Sequence, residues 1–310
     1  MATYIAQFKP ATEAIRPPTP KEIPVDLFTT PTQPPEPVDM SLSPRIKTIV
    51  GGIAQSRTTE NLRVTGPSGC GKTSLGQWIA QETNRPLLIM DCAVVREPRD
   101  WFGFRTVKDG AVLWQDTEFV RAIEAGNYVV VLDELNRASS SVLNGLFPLL
   151  DHRRRAWIEE RQRAVTVGAN TMFIATTNTG SRYVGAGPLD AALDERFTRV
   201  IEMSYLNRQD ELALLTRRVP TLDTKWAEAL CEIAAKTRQS SSNVRALSTR
   251  RVLAAAHDLA RYGQESLEYT ILNSSADPAE RSALAALLIG KFPNILEGCS
   301  VQVSNSTLPF

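Results

Sequence analysis

Eight residues, Gly66-Pro67-Ser68-Gly69-Cys70-Gly71-Lys72-Thr73, hold the most specific chemistry in the chain. They fit the pattern GxxxxGK[ST] and stand between a short β-branched run, LRVTG, and an amphipathic run, TSLGQWIAQET, as that pattern requires. The glycines let the loop curl so that successive backbone N–H groups, with the positive end of the following helix, face phosphate oxygens. Lys72 would reach the β and γ phosphates of a nucleotide, and the Thr73 hydroxyl would coordinate Mg²⁺. Ser74 counts with the loop among the cofactor-binding residues.

Further acids, an amide and arginines fall where a phosphate loop would need them. Tyr128 to Glu134, YVVVLDE, is a continuous apolar run that delivers two carboxylates at its carboxyl end, the edge where open parallel sheets bind ligands. Asp133 would join Thr73 on the metal, and Glu134 would orient and deprotonate an attacking water. The strand-like MFIATTN closes on Asn178, whose amide would hold that water or a γ-phosphate oxygen; the plainer reading is a strand-ending asparagine in the turn TNTGS. In LDAALDERFTRVIEM, Arg196 and Arg199 precede the last apolar run. Either is a solvated arginine or, in a ring of subunits, a finger that reaches the neighbour's γ-phosphate.

These positions require a frame. From about Ser41, apolar runs alternate with helical periodicities, which predicts α/β architecture with strands at LRVTG, PLLIMDC, YVVVLDE, TMFIATTN and TRVIEM. After Met203 the β signal disappears, and ELALLTRRV, KWAEALCEIAAKT, STRRVLAAAHDLARY and ERSALAALLIG predict a helical second domain. Ten of the 19 prolines lie between Pro10 and Pro44, where neither helix nor sheet can propagate. The expected organisation is a proline-rich flexible arm over 1–40, a nucleotide-binding α/β domain over 41–205, a helical lid over 206–295 and a tail over 296–310. The arm reads either as a disordered leader or as a tether that lies on a neighbouring subunit or partner.

Composition narrows the class. With 43% apolar and 22% charged residues the 310-residue chain resembles ordinary globular proteins, which excludes global disorder. Lysine plus arginine (35) balances aspartate plus glutamate (34), so the basic surplus that a nucleic-acid backbone calls for is missing; nucleic acid is unsupported but not excluded. Cys70, Cys92, Cys231 and Cys299 are scattered and only two histidines accompany them, which predicts free thiols in a reducing compartment rather than a zinc site. The start, MATYIAQFKP, lacks a basic-then-apolar leader, and no apolar run is long enough to span a membrane. The expectation is a soluble, cytoplasmic chain without membrane partners.

With these elements in this order, the region from about Leu62 to Leu253 resembles the AAA+ superfamily, and LDELNRA (Leu132 to Ala138) is similar to the MoxR-type ATPases, including the CbbQ/NorQ activases and the CobS chelatase subunit. The resemblance implies a P-loop NTPase fold, a parallel five-stranded sheet sandwiched by helices with a smaller all-helical lid. It implies sensor 1 at Asn178, the arginine finger at Arg196 in DERF, and sensor 2 at Arg250 in LSTRR, where Thr249 replaces the usual proline and Arg251 competes. Arg137 in the NRA string is carried over as functional, either across a subunit interface or in orienting the Asp133–Glu134 pair. KDGAVLWQDTEFVRAIEAG is similar to the segment where that family carries its helix-2 insert, and RRRAWIEERQRAVTV to its pre-sensor hairpin. Trp101, Phe102 and Phe104 read as core packing or as a loop that grips substrate. Implied with these are ATP and Mg²⁺, a homo-oligomeric ring of six, a protein client, and a von Willebrand factor A-domain partner in trans. Two other readings stand beside it: a nucleic-acid motor of the McrB restriction type using GTP or ATP, and a non-hydrolysing nucleotide switch, for which Glu134 and Arg196 would be superfluous.

Overall fold

Short β-branched runs separated by helical stretches fold as βαβ units, and the strands are therefore parallel. A computed structural model of the chain describes residues 40, 42, 44–56, 61–178, 189–239 and 244–296, all within one unit spanning Gln33–Phe310. The expected arm up to residue 39, the tail beyond 296 and Cys299 lie outside the described residues.

Helix α1 (Pro44–Ser56) leads into strand β1 (Leu62–Gly66), the glycine-rich loop and helix α2 (Lys72–Glu82). Strand β2 (Leu87–Asp91) follows, then an antiparallel hairpin of β3 (Gly103–Lys108) and β4 (Ala111–Asp116), and helix α3 (Glu118–Ala125). Strand β5 (Val129–Asp133) precedes the one-turn helices α4 (Ser140–Leu143) and α5 (Phe147–Leu150) and a second hairpin, β6 (Arg155–Ile158) with β7 (Arg163–Thr166). Strand β8 (Met172–Asn178), short helix α6 (Ala191–Asp194) and strand β9 (Arg199–Glu202) complete the α/β part. Helices α7 (Arg208–Arg218), α8 (Thr224–Gln239), α9 (Thr249–Tyr262), α10 (Leu267–Thr270) and α11 (Pro278–Ile289) make up the rest.

The five expected strands form one parallel sheet in the order β2-β5-β8-β1-β9. Its alternation sorts side chains between two cores. Val129 and Val131 of β5, with Met172 and Ile174 of β8, pack with Leu75 and Ile79 of α2; Val130, Leu132, Phe173 and Ala175 pack on the opposite face with Phe119 and Ile123 of α3. Each fully buried aliphatic side chain contributes about 1.5–3 kcal/mol. Helix α2 lies unusually close to the sheet because Gly76 has no side chain: a Cβ there would stand 2.5 Å from Val131 Cγ2. The helices after β9 gather around a third core that includes Leu215, Ile233, Leu259 and Leu288. Among the described residues no helix is long and apolar enough to cross a membrane.

Two expectations shift in detail. Strand β2 ends at Asp91, and Cys92 begins a 3₁₀ turn capped by the Asp91 carboxylate, so the predicted PLLIMDC strand is shorter. Trp101 and Phe102 are buried, whereas Phe104 is exposed on β3, so the aromatic trio is not one feature. Its core part is held by Trp101, which donates through Nε1 to the Val142 carbonyl and packs 5.4 Å from the Phe119 ring. The two segments outside the five-strand frame, 103–116 and 155–166, are both antiparallel hairpins. Arg161 clamps them together by pairing with Asp116 at 2.5 Å and with Glu124 of α3 at 2.8 Å.

Candidate functional site

Strand parity decides what meets at the carboxyl edge of the sheet. Asp133 points to the same face as Val129 and Val131, and Thr176 and Asn178 to the same face as Met172 and Ile174, so all three face the start of α2. Register brings Gly66, at the mouth of the loop, directly beside Asn178. The close seat of Gly76 on Val131 then lowers Thr73 onto Asp133: its Oγ1 donates to Asp133 Oδ1 at 2.9 Å. Thr176 Oγ1 donates to the same oxygen at 2.5 Å and accepts the Glu134 N–H at 2.9 Å.

Lys72, only 7% exposed, opens α2. Its ammonium donates to the Gly66 carbonyl at 3.1 Å, the Pro67 carbonyl at 2.8 Å and Asn178 Oδ1 at 2.8 Å. Burial pushes it below the usual lysine range, and Cys70, Asp133 and Glu134 pull in the opposite direction. Gly71, at φ +100°, caps the helix without a side chain, which leaves the first-turn N–H groups free to face an anion.

Glu134 leaves the strand in the left-handed region, at φ 53° and ψ 40°. Such a conformation costs a non-glycine residue on the order of 1–3 kcal/mol and turns the carboxylate out of strand alternation toward Asn178. Asn178 Nδ2 donates to Glu134 Oε1 at 3.2 Å, and Arg137 Nη1 donates to Oε2 at 2.5 Å. Burial raises the Glu134 carboxyl, but these two donors outweigh it and hold the group below the usual glutamate range. Asn178 is itself fixed by Asn136, whose amide donates to the Asn178 carbonyl and accepts the Asn178 N–H.

A cavity of about 530 Å³ opens beside the loop, lined on one side by Gly69, Cys70, Gly71 and Ser74 and on the other by Thr249, Arg250 and Leu253 of α9. Met40, Leu42, Ile46, Met203 and Tyr205 give it an apolar wall. Gly69, at φ +72°, lies so near α9 that a Cβ would meet Ser248 Cβ at 2.7 Å. Of the two competing arginines, Arg250 faces the cavity, while Arg251 donates to the Thr270 carbonyl at 2.8 Å. Cys70 is a buried free thiol raised by burial above the ordinary cysteine value.

Sequence reasoning missed Thr176, Asn136 and the apolar wall. Strand parity places Thr176 on the face of Asn178, two residues before it; Met40 falls in the expected arm, and no local signal marks it. Arg196 stands apart from this assembly: it is not among the cavity residues, donates to the Ala192 carbonyl and lies 4.6 Å over the Phe147 ring. Arg199, at the start of β9, is exposed and likewise outside the cavity.

Residues 61–197 match the family model described as AAA domain (dynein-related subfamily). The candidate chaperone BssE of Thauera aromatica is 30% identical over 204 residues, covering 66% of this chain and 70% of that protein. The chain belongs to the AAA family. Midasin of Dictyostelium discoideum is 32% identical over 173 residues, which is 54% of this chain and 3% of midasin. NtrX from Brucella abortus, solved in complex with ATP, shares the fold at 15% identity with a TM-score of 0.51, over 83% of this chain and 70% of that one. As an AAA domain the chain binds nucleotide.

Proposed function

We propose that this AAA protein hydrolyses ATP with Mg²⁺ as a MoxR-type ring of six identical subunits and spends the turnover on remodelling a protein client, with a von Willebrand factor A-domain partner in trans. The observation that carries the hydrolytic part is the convergence of Lys72, the Thr73–Asp133 pair and the Glu134–Asn178 pair at one sheet edge.

The donor set fits both groups. The loop offers backbone N–H groups and a buried ammonium to phosphates. Among the described residues no group of three or more His, Cys, Asp or Glu could hold a metal, but Thr73 and Asp133 offer two oxygen ligands, the number Mg²⁺ uses when phosphates and waters complete its shell. When bound, the ion neutralises charge on the β and γ phosphates. Lys72 would leave the loop carbonyls for phosphate oxygens, Glu134 would accept a proton from the attacking water, and Asn178 would hold that water against the carboxylate. Arg250 would reach the γ-phosphate from the lid. Arg196, placed away from its own cavity, would serve the neighbour's. The client reading is supported by BssE, a candidate chaperone.

Turnover of ATP by the full chain with Mg²⁺ tests this reading. Release of phosphate that Glu134→Gln abolishes supports it; turnover that prefers GTP, or that DNA stimulates, would favour a McrB-type motor instead.

A further inference from the structure

Arg238, near the carboxyl end of α8, uses its whole guanidinium and is largely buried. Nη1 and Nη2 donate to Glu211 Oε2 and Oε1 of α7 at 2.9 and 2.7 Å, and Nε donates to the Leu247 carbonyl at 2.8 Å. Nη1 also reaches the Leu206 carbonyl at 3.4 Å. Its Cζ lies 4.4 Å over the Tyr205 ring, and the Tyr205 hydroxyl donates to the Ser68 carbonyl in the phosphate loop at 3.2 Å. One guanidinium thus touches α7, the strand-to-lid connection and the lead into α9, while its aromatic partner touches the loop.

The lead into α9 is what places Arg250. The Leu247 N–H is held by Thr237 Oγ1 at 3.1 Å, so the last turn of α8 grips both backbone groups of Leu247. Ser248, the next residue, caps α9 by accepting the Arg251 N–H and sits against Gly69. Arg250 follows on the first turn and faces the cavity. Glu211 is 1% exposed, so the ion pair is desolvated and removing one partner strands the other. A planar fork grips a carboxylate with two parallel N–H bonds while its Nε–H is aimed at a carbonyl, a fixed geometry that a point-charge ammonium does not reproduce.

We propose that Arg238 is a positioning residue for the nucleotide: its fork fixes the Leu247–Ser248 backbone, sets Arg250 over the cavity and, through Tyr205, ties that setting to the phosphate loop. This rests on reading the cavity as a nucleoside triphosphate site. A purely structural brace would stabilise the lid without acting through Arg250, and a double-mutant cycle separates the two.

Calorimetric titration of the full chain with a non-hydrolysable ATP analogue and Mg²⁺ is the test. Arg238→Lys keeps a cation beside Glu211 but puts a methylene where Nε donates to the Leu247 carbonyl; it weakens binding roughly tenfold alone and adds no further loss to Arg250→Ala. Should Arg238→Lys fail to fold, Glu211→Leu with Arg238→Met replaces the pair by apolar volume and takes its place in the cycle. Unchanged affinity in the folded variant, or losses that multiply with that of Arg250→Ala, overturns the positioning role alone. A wild-type chain that binds no analogue overturns the cavity reading, and the role with it.

Discussion

Thr176 shows how much of the site rests on a residue with no charge. Its hydroxyl donates to Asp133 and accepts the Glu134 N–H, so it sets the distance between the proposed metal ligand and the proposed base. Thr176→Val keeps the shape and deletes both bonds. We expect kcat to fall on the order of 10- to 100-fold with KM for ATP little changed, because misplacement of a base by a fraction of an ångström acts on the transition state rather than on binding. Steady-state kinetics of the folded variant checks this; a KM rise with unchanged kcat would place Thr176 in ground-state binding. The residues that carry charge were legible in the sequence because phosphate chemistry restricts their types: a lysine after glycines, paired acids after an apolar run. Thr176 and Asn136 were not, because hydroxyls and amides at strand ends are common and only their partners across the sheet give them meaning.

At the scale of elements, the sheet was legible and the insertions less so. Continuous apolar runs such as YVVVLDE are long enough and β-branched enough to be strands buried on both faces. The two hairpins carry mixed polarity and are joined by Arg161, a contact between distant segments that periodicity does not encode. Helix α2 supplies a prediction of its own. Gly76→Ala places a methyl 2.5 Å from Val131 Cγ2, which must either shift the helix or strain the sheet. The expected cost is about 1–3 kcal/mol of stability in urea unfolding, with weaker turnover as Thr73 is lifted from Asp133. Among the helices after β9, Glu232 joins Lys291 after α11 and Lys236 of its own helix, hydrogen bonds that hold its carboxyl at about 2. A carboxyl depressed on folding stabilises above its unfolded value, and the gain is lost as pH falls through the interval down to the folded one. Glu232→Gln should therefore lower Tm at pH 7, and the two proteins should converge as the pH approaches 2; a constant difference across that range would contradict the assignment.

At the scale of the whole molecule, two features draw on contacts that no local pattern announces. The cavity is shared between the loop, the segment before α1 and helix α9, and Met40, Leu42 and Leu253 are far apart in the chain. Arg196 is the converse: it sits on Phe147, outside its own cavity, which is where a residue serving a neighbouring subunit would stand. Arg196→Ala should bind ATP as wild type does while turnover falls by about 10³-fold or more, the scale of a lost arginine finger. Mixing it with Glu134→Gln should restore part of the turnover, because a ring of both contains interfaces with an intact base and an intact finger. Absence of restoration in rings shown to be mixed would place Arg196 in its own subunit's structure.

The central claim, that the Lys72–Asp133–Glu134 edge hydrolyses ATP, is tested most directly by phosphate release from Mg²⁺ and ATP, with nucleotide binding measured alongside, for wild type and Glu134→Gln. The expected result is turnover in the wild type, a loss of about 10²-fold or more in the variant, and ATP binding retained in both. Equal turnover in the two proteins, or none in a wild type that binds ATP and forms rings, would contradict it.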